Sequence, residues 1–459
     1  MPHAQVPDET TNRYSPRRIA IYAVLAVGTV AIACLVVFLL FTDTFVNELL
    51  KGRNISNFEK SYPNYSLRIR GVGYDIWNNR LKCDSISLTP TDSGFSCTIA
   101  ASSVSGIGWI QLFLGRALTP DHLANSGVDA EHFVLTFPRE QYQIRCGRLR
   151  VSVGDSEIVA DSFELGPIDD DKQFFAADKF RRTRYRLQVA HASMMGSTCL
   201  GLLRRDMYCG RVARLEDSFL DILTNKDKRP ENDTTDPLMP YEVLSTIKAK
   251  LQIDSVNIVN GSLRYGERMS IGAPPAAITF DSMNVSIGGI ANFCCDHDST
   301  QVLVQGRFMK AGTLNLRMSI PVATPEFSLR YSGSLGRMPL TAFNPFIKVA
   351  EHVRINSGEL QSATFAVTVK SGRADGSMRA AYSDLSVAMQ DEQTGSEKGI
   401  LNRLTSLVAN NMKIRTDNMP DESGAMKIGV VSYSRKPDDT FFQFLWFSVR
   451  SGLKDVVGF

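Results

Sequence analysis

Between Leu251 and Met389 apolar and polar positions alternate in run after run. Ile278, Phe280, Met283, Val285 and Ile287 carry apolar beats with one slip of phase. Val302 and Val304 follow, then Leu314, Leu316, Met318 and Ile320 against Asn315, Arg317 and Ser319. Phe327, Leu329 and Tyr331 keep the period, as do Ala363, Phe365, Val367 and Val369, then Met378, Ala380 and Tyr382. A period of two gives each strand one apolar and one wet face, the pattern of antiparallel sheet solvated on one side. Turn-rich breaks such as residues 371–376 join neighbouring strands as hairpins. Strands in this number must bury their apolar face against a second sheet, covering helices or a bound apolar ligand.

The same pattern opens the body of the chain. Leu67 to Arg70, Leu81 to Leu88 and Phe95 to Val104 read as strands, then Phe133 to Phe137 and Tyr142 to Val153. Trp109, Ile110, Leu112 and Phe113 are spaced for one face of a short helix, and Leu200 to Arg205 for another. Residues 101–137 and 183–225 thus share an order of strand, short helix and strand, a weak repeat that suggests elongated stacking. Asn225 to Pro240 is charged and Pro-bearing and serves as the linker. Short helices are expected at Tyr241 to Lys250 and Pro339 to Val353, and a longer one from Ser396 to Met412. Phe442, Leu445, Trp446 and Val449 place an amphipathic helix at the end. Its apolar face either plugs the sheet or docks on a membrane or partner.

The chain's other long apolar stretch is not periodic. Ile19 to Phe41 holds 23 residues without a charge, enough to span a hydrocarbon core of about 30 Å. It is too long for a cleaved signal peptide, and Val36 to Phe41 continue the run past Cys34, so an uncleaved anchor is expected. Arg13, Arg17 and Arg18 crowd its N-terminal flank, against Lys51 and Arg53 further off on the other side. That bias puts the N-terminus in the cytoplasm and the body outside. The organisation is therefore a tail (1–18), a transmembrane anchor (19–41), an N-terminal β region (42–226), a linker (227–240) and a C-terminal β region (241–459). A net charge of +3 over 459 residues, with 43% hydrophobic and 22% charged residues, fits a folded protein. No basic block interleaved with aromatics points to nucleic acid.

Several stretches together resemble the AsmA-like family of bacterial envelope proteins. Leu251-Gln-Ile-Asp-Ser-Val-Asn-Ile-Val-Asn-Gly-Ser-Leu-Arg-Tyr265 is similar to its strand ending in Asn-Gly-Ser followed by a second strand. Gly333-Ser-Leu-Gly-Arg-Met-Pro-Leu-Thr-Ala-Phe-Asn-Pro-Phe346 with Ile355-Asn-Ser-Gly-Glu-Leu360 resembles its C-terminal part, and Ser105-Gly-Ile-Gly-Trp-Ile-Gln-Leu-Phe-Leu-Gly115 its early short helix. The resemblance implies an inner-membrane-anchored periplasmic protein. It implies a mostly β fold, an elongated curved antiparallel sheet that forms a groove with a few short covering helices. It further implies phospholipid handling in support of outer-membrane integrity, as in the related TamB-like and bridge-like lipid transfer proteins, with outer-membrane or envelope assembly proteins as partners. This chain is shorter than the larger members, and some twenty strands at about 4.8 Å give a groove of roughly 100 Å.

The residues expected to line the groove are Phe327, Leu329, Tyr331, Phe365, Val367 and Val369. Cys83 and Cys97 flank a turn near Pro90, and Cys199 and Cys209 bracket a short loop. Each pair is a disulfide candidate in an oxidising compartment, against the alternative of buried free thiols. Cys294-Cys295-Asp296-His297-Asp298 gathers soft and imidazole ligands. Adjacent cysteines rarely both reach one ion, so the loop reads as a polar hairpin, and no metal or cofactor is assigned. Asp169-Asp170-Asp171 reads as a solvated loop. No catalytic motif is present, neither a nucleophile elbow nor a phosphate loop nor a His-Glu-x-x-His pair. The reading is a non-enzymatic, membrane-anchored β protein that shields lipid tails. The rivals are a dry sandwich acting through protein partners and a metal enzyme on the Cys294–Asp298 loop.

Overall fold

The computed structural model describes residues 65–458 apart from residues 76, 91–93, 107–124, 198–206, 230–236, 248, 294–297, 323–325, 390–413 and 438. The expected anchor at 19–41, the two short helices near Trp109 and Leu200, and the helix from Ser396 lie outside the described residues. Among the described residues no helix is long and apolar enough to cross a membrane.

The first run of strands is β1 (Tyr65–Asp75), β2 (Arg80–Pro90), β3 (Ser96–Ile99), β4 (Ala101–Ser105), β5 (Gly127–Phe137), β6 (Tyr142–Ser152) and β7 (Glu157–Pro167). Helix α1 (Asp171–Ala176), β8 (Thr183–Met195), β9 (Met207–Asn225) and α2 (Pro240–Ser245) follow. The second run is β10 (Lys250–Arg268), β11 (Ala276–Ala291), β12 (Ser299–Phe308), β13 (Gly312–Pro321), β14 (Leu329–Leu335) and the two-residue β15 (Met338–Pro339). A 3-10 turn (Leu340–Phe343), α3 (Asn344–Ala350), β16 (Val353–Lys370), β17 (Arg373–Met389), β18 (Ile428–Ser434) and α4 (Phe441–Val457) complete it. Among the described residues all strands belong to one 18-stranded sheet. Each pairs with its neighbour in sequence, except that β3 and β4 share one place beside β2 and β5, and β14 pairs with β16 past the short β15. This is a single mostly β sheet with few short helices.

The expected all-antiparallel sheet is corrected at one pair. β9 and β10 run parallel from Met207↔Lys250 to Asn225↔Arg268. A tight turn can only reverse a strand, and a parallel partner needs a long crossover. Residues 226–249, with α2, supply it by returning the chain to the start of β9. The linker expected at 227–240 falls within this crossover, and the sheet runs through it unbroken.

A line of bulges crosses the first eleven strands. His132, Ser162, Asp217, Asn260 and Ser282 take φ between 48° and 54° within β5, β7, β9, β10 and β11, and Gly71 takes 62° in β1. At each of the five non-glycine residues the inward phase shifts. In β5 the buried residues are Val128 and Ala130, then Phe133 and Leu135; in β7 they are Ile158 and Ala160, then Phe163 and Leu165. The shift bends the strand and keeps one face apolar on both sides of the bend. Gly147 faces this line in β6, where an added Cβ would meet Ser162 Cβ at 3.1 Å. The phase slip between Phe280 and Met283 in the sequence is the Ser282 bulge. Left-handed backbone is costly for a β-branched side chain, by about 1–3 kcal/mol. Ser162→Val should therefore lower stability in urea melts by that amount, while Ser162→Gly costs nothing; equal stability of the two variants would contradict the crease.

Candidate functional site

The register links side chains on one face into rows. One row runs Cys83, Ser102, Ala130, Leu149, Ala160, Ala192, Leu215, Ile258, Val285, Val304, Leu316, Gly333, Phe365, Met378, Gly429. The next runs Leu81, Val104, Val128, Val151, Ile158, Met194, Ala213, Val256, Ile287, Val302, Met318, Tyr331, Val367, Gly376, Val431. Neither row contains a charge. At about 4.8 Å between strands each is about 70 Å long, shorter than the roughly 100 Å expected from the sequence because fewer strands stand side by side.

The rows are dry at both ends and half-open in the middle. Over β1 to β9 the inner face belongs to one core that includes Leu67, Phe133, Leu149 and Phe163, each at most 4% exposed. Over β11 to β18 it belongs to a second core, closed by α3 and α4 and holding Leu329, Val369, Phe444 and Val456. Between them Val256, Ile258, Met283, Val285, Ile287 and Val304 are half-buried and pack into neither core. This trough lies on β10, β11 and β12. Its six side chains are all aliphatic or thioether, a surface suited to contact with apolar matter.

Helix α4 accounts for the closed end. Thr440 caps it, accepting from the Gln443 N–H, while Gln443 Oε1 accepts from the Thr440 N–H at 3.1 Å. Phe444, Ser448, Gly452 and Val456 recur every fourth residue and form its buried face. Ser448 and Gly452 are small enough for the helix backbone to lie directly on β17 and β18. The helix also seals the sheet edge: Asp455 Oδ2 accepts from the Val430 N–H at 2.8 Å and Ser451 Oγ from the Ser432 N–H at 3.1 Å. The Val430 N–H and the Lys427 side chain hold the Asp455 carboxyl below its usual range. Folded and unfolded values then differ such that this contribution is present at neutral pH and fades only as pH falls through the lowered value.

The groove residues expected from the sequence belong to the core that this helix closes. Phe327, Leu329, Tyr331, Val367 and Val369 are 1–6% exposed, and Phe365 is half-buried against Tyr331, ring to ring at 5.9 Å. Phe327 meets Phe444 at 5.1 Å. Of the four expected docking residues, Leu445, Trp446 and Val449 pack against the core, Trp446 edge-on to Phe346 at 6.2 Å, and Phe442 alone is 48% exposed. Alternation alone places these residues on the apolar face, and it is silent on which part of that face the chain's own helix occupies.

The expected Cys83–Cys97 pairing is corrected. Cys97 stands opposite Leu88, whereas Cys83 stands opposite Val72 and Ser102. Five residues along β2 separate the two sites, roughly 16 Å, beyond the reach of a disulfide. Cys83, Cys97 and Cys146 are buried free thiols, and burial pushes them to about 11, about 12 and about 11. Cys199, Cys294, Cys295 and His297 lie outside the described residues.

A polar clamp escaped sequence reading. Asp170 caps α1 and Asp171 begins it, so the acidic triplet is not a free loop. Arg184, 2% exposed, donates from Nη1 to Asp221 Oδ2 at 2.7 Å and to its carbonyl at 3.0 Å, and from Nη2 to Asp171 Oδ2 at 3.2 Å. Nearby, Arg182 lies over Phe174 at 4.0 Å and Arg268 over Phe175 at 4.6 Å. Lys226 pairs with the buried Glu267 at 2.6 Å. The cluster ties α1 to both sides of the parallel pair. Every charge in it has a partner, which marks it as structural. Compared with known proteins, the chain matches no family model and no curated sequence.

Proposed function

We propose that the chain cradles lipid acyl chains in the open middle of its apolar face. In this reading it is an inner-membrane-anchored periplasmic protein, as its resemblance to AsmA-like envelope proteins implies, and handles phospholipid in support of the outer membrane without catalysing a reaction. The observation that carries the reading is the pair of uncharged rows that cross the sheet and remain half-open at Val256, Ile258, Val285 and Ile287. Each methylene moved from water onto such a surface contributes about 0.8 kcal/mol. Contact over roughly six of them reaches about 5 kcal/mol, which a polar ligand could not match there.

Gently purified, the protein should carry phospholipid. Ile258→Asp puts a charge in the trough and should reduce extracted lipid per mole of protein severalfold, with the sheet intact by circular dichroism. Asn257→Asp, one residue away and on the opposite face, should leave it unchanged. No lipid in the parent, or equal lipid in both variants, would contradict the proposal. The second reading, an assembly factor acting through protein partners, is favoured by the two dry ends of the face and would gain from that result.

A further inference from the structure

The turn between β1 and β2 holds a tryptophan in water. Trp77 is 96% exposed, an expensive position for the largest apolar side chain unless something covers it. The turn is built to keep it there. Asp75 accepts from the Asn78 backbone N–H at 3.2 Å and from Asn78 Nδ2 at 2.9 Å, and Lys82 closes on the same carboxylate at 3.5 Å. These bonds, the Asn78 side chain first, hold the Asp75 carboxyl below its usual range. Asn79 completes the turn at φ 47°.

We propose that this hairpin tip docks on a bilayer surface, with the Trp77 ring at headgroup level. Indole, apolar with one N–H, favours that layer. The hairpin carries Arg68, Arg70, Arg80 and Lys82 against Asp75 and Asp84, and the surplus of cations draws it to anionic lipid. Chain length allows it: residues 42–64 join the uncharged stretch 19–41 to the open end of the hairpin at Tyr65, and extended they reach further than the length of β1, at whose far end the turn stands. Docking sets the β1 end of the apolar rows against the membrane. The inference stands apart from the trough, since the hairpin docks whether or not the trough holds lipid.

The test uses the full chain in vesicles of phosphatidylcholine and phosphatidylglycerol, with and without bromine on the acyl chains. Trp109→Phe and Trp446→Phe leave Trp77 as the sole tryptophan. Its emission should be blue-shifted, quenched by the brominated lipid and shielded from iodide. In the otherwise unaltered chain, Trp77→Ser should remove part of the total bromine quenching, which gives the same reading without touching the core residue Trp446. Solvated emission with full iodide access would overturn the proposal. Shielding from iodide without bromine quenching would overturn it too, in favour of a protein contact.

Discussion

Gly429→Val should unseat the C-terminal helix and lower stability by about 3 kcal/mol, the upper range for overpacking a close contact. A Cβ on Gly429 would fall 2.1 Å from the Gly452 carbonyl oxygen and 2.7 Å from Val456 Cγ2. The first neighbour is backbone in the middle of α4, so no rotamer change relieves the clash. The helix must lift, exposing Phe444 and the residues beneath it. Gly73→Ala, where an added Cβ meets nothing within 4 Å, is the control and should change little. Urea or thermal melts of the two variants read the difference. Equal midpoints would mean that α4 is not seated on β18 as described.

Arg184→Met should cost about 3–5 kcal/mol, the penalty for breaking a buried ion pair and stranding its partner. Asp221, buried between strands, would lose its guanidinium partner. The double variant Arg184→Met with Asp221→Leu should recover much of that loss, because the uncompensated charge is gone. Chemical denaturation of the two single variants and the double completes the cycle. If Arg184→Met alone is silent, the clamp contributes nothing to joining the two halves of the sheet.

Much of the sheet is written locally. The alternation in Leu314 to Ile320 or Ala363 to Val369 sets the face of each residue without reference to distant chain, and those faces are the ones observed. Even the bulge line leaves a local trace, since Val128, Ala130, Phe133 and Leu135 slip phase as Ile278 to Ile287 do. What the alternation lacks is closure. Nothing near Met207 or Lys250 announces that the two strands will lie parallel, because that depends on where the crossover returns. Arg184 within a strand reads as solvated until its partners arrive from α1 and β9. Likewise Phe444 and Val456 are plainly a helix face, yet their sequence is silent on which strands they cover. For that reason the lining residues expected at 327–369 are capped, and the open residues lie on β10 to β12.

Photo-crosslinking reads whether lipid occupies the open middle of the apolar face and not its capped end. A benzophenone amino acid is placed at Val285 in the trough, at Ser286 on the opposite face, or at Val367 beneath α4. After illumination in membranes, mass spectrometry reads phospholipid adducts on the full chain. Adducts are expected at 285 and essentially none at 286 or 367; equal labelling at all three positions, or none at 285, would refute occupancy of the trough.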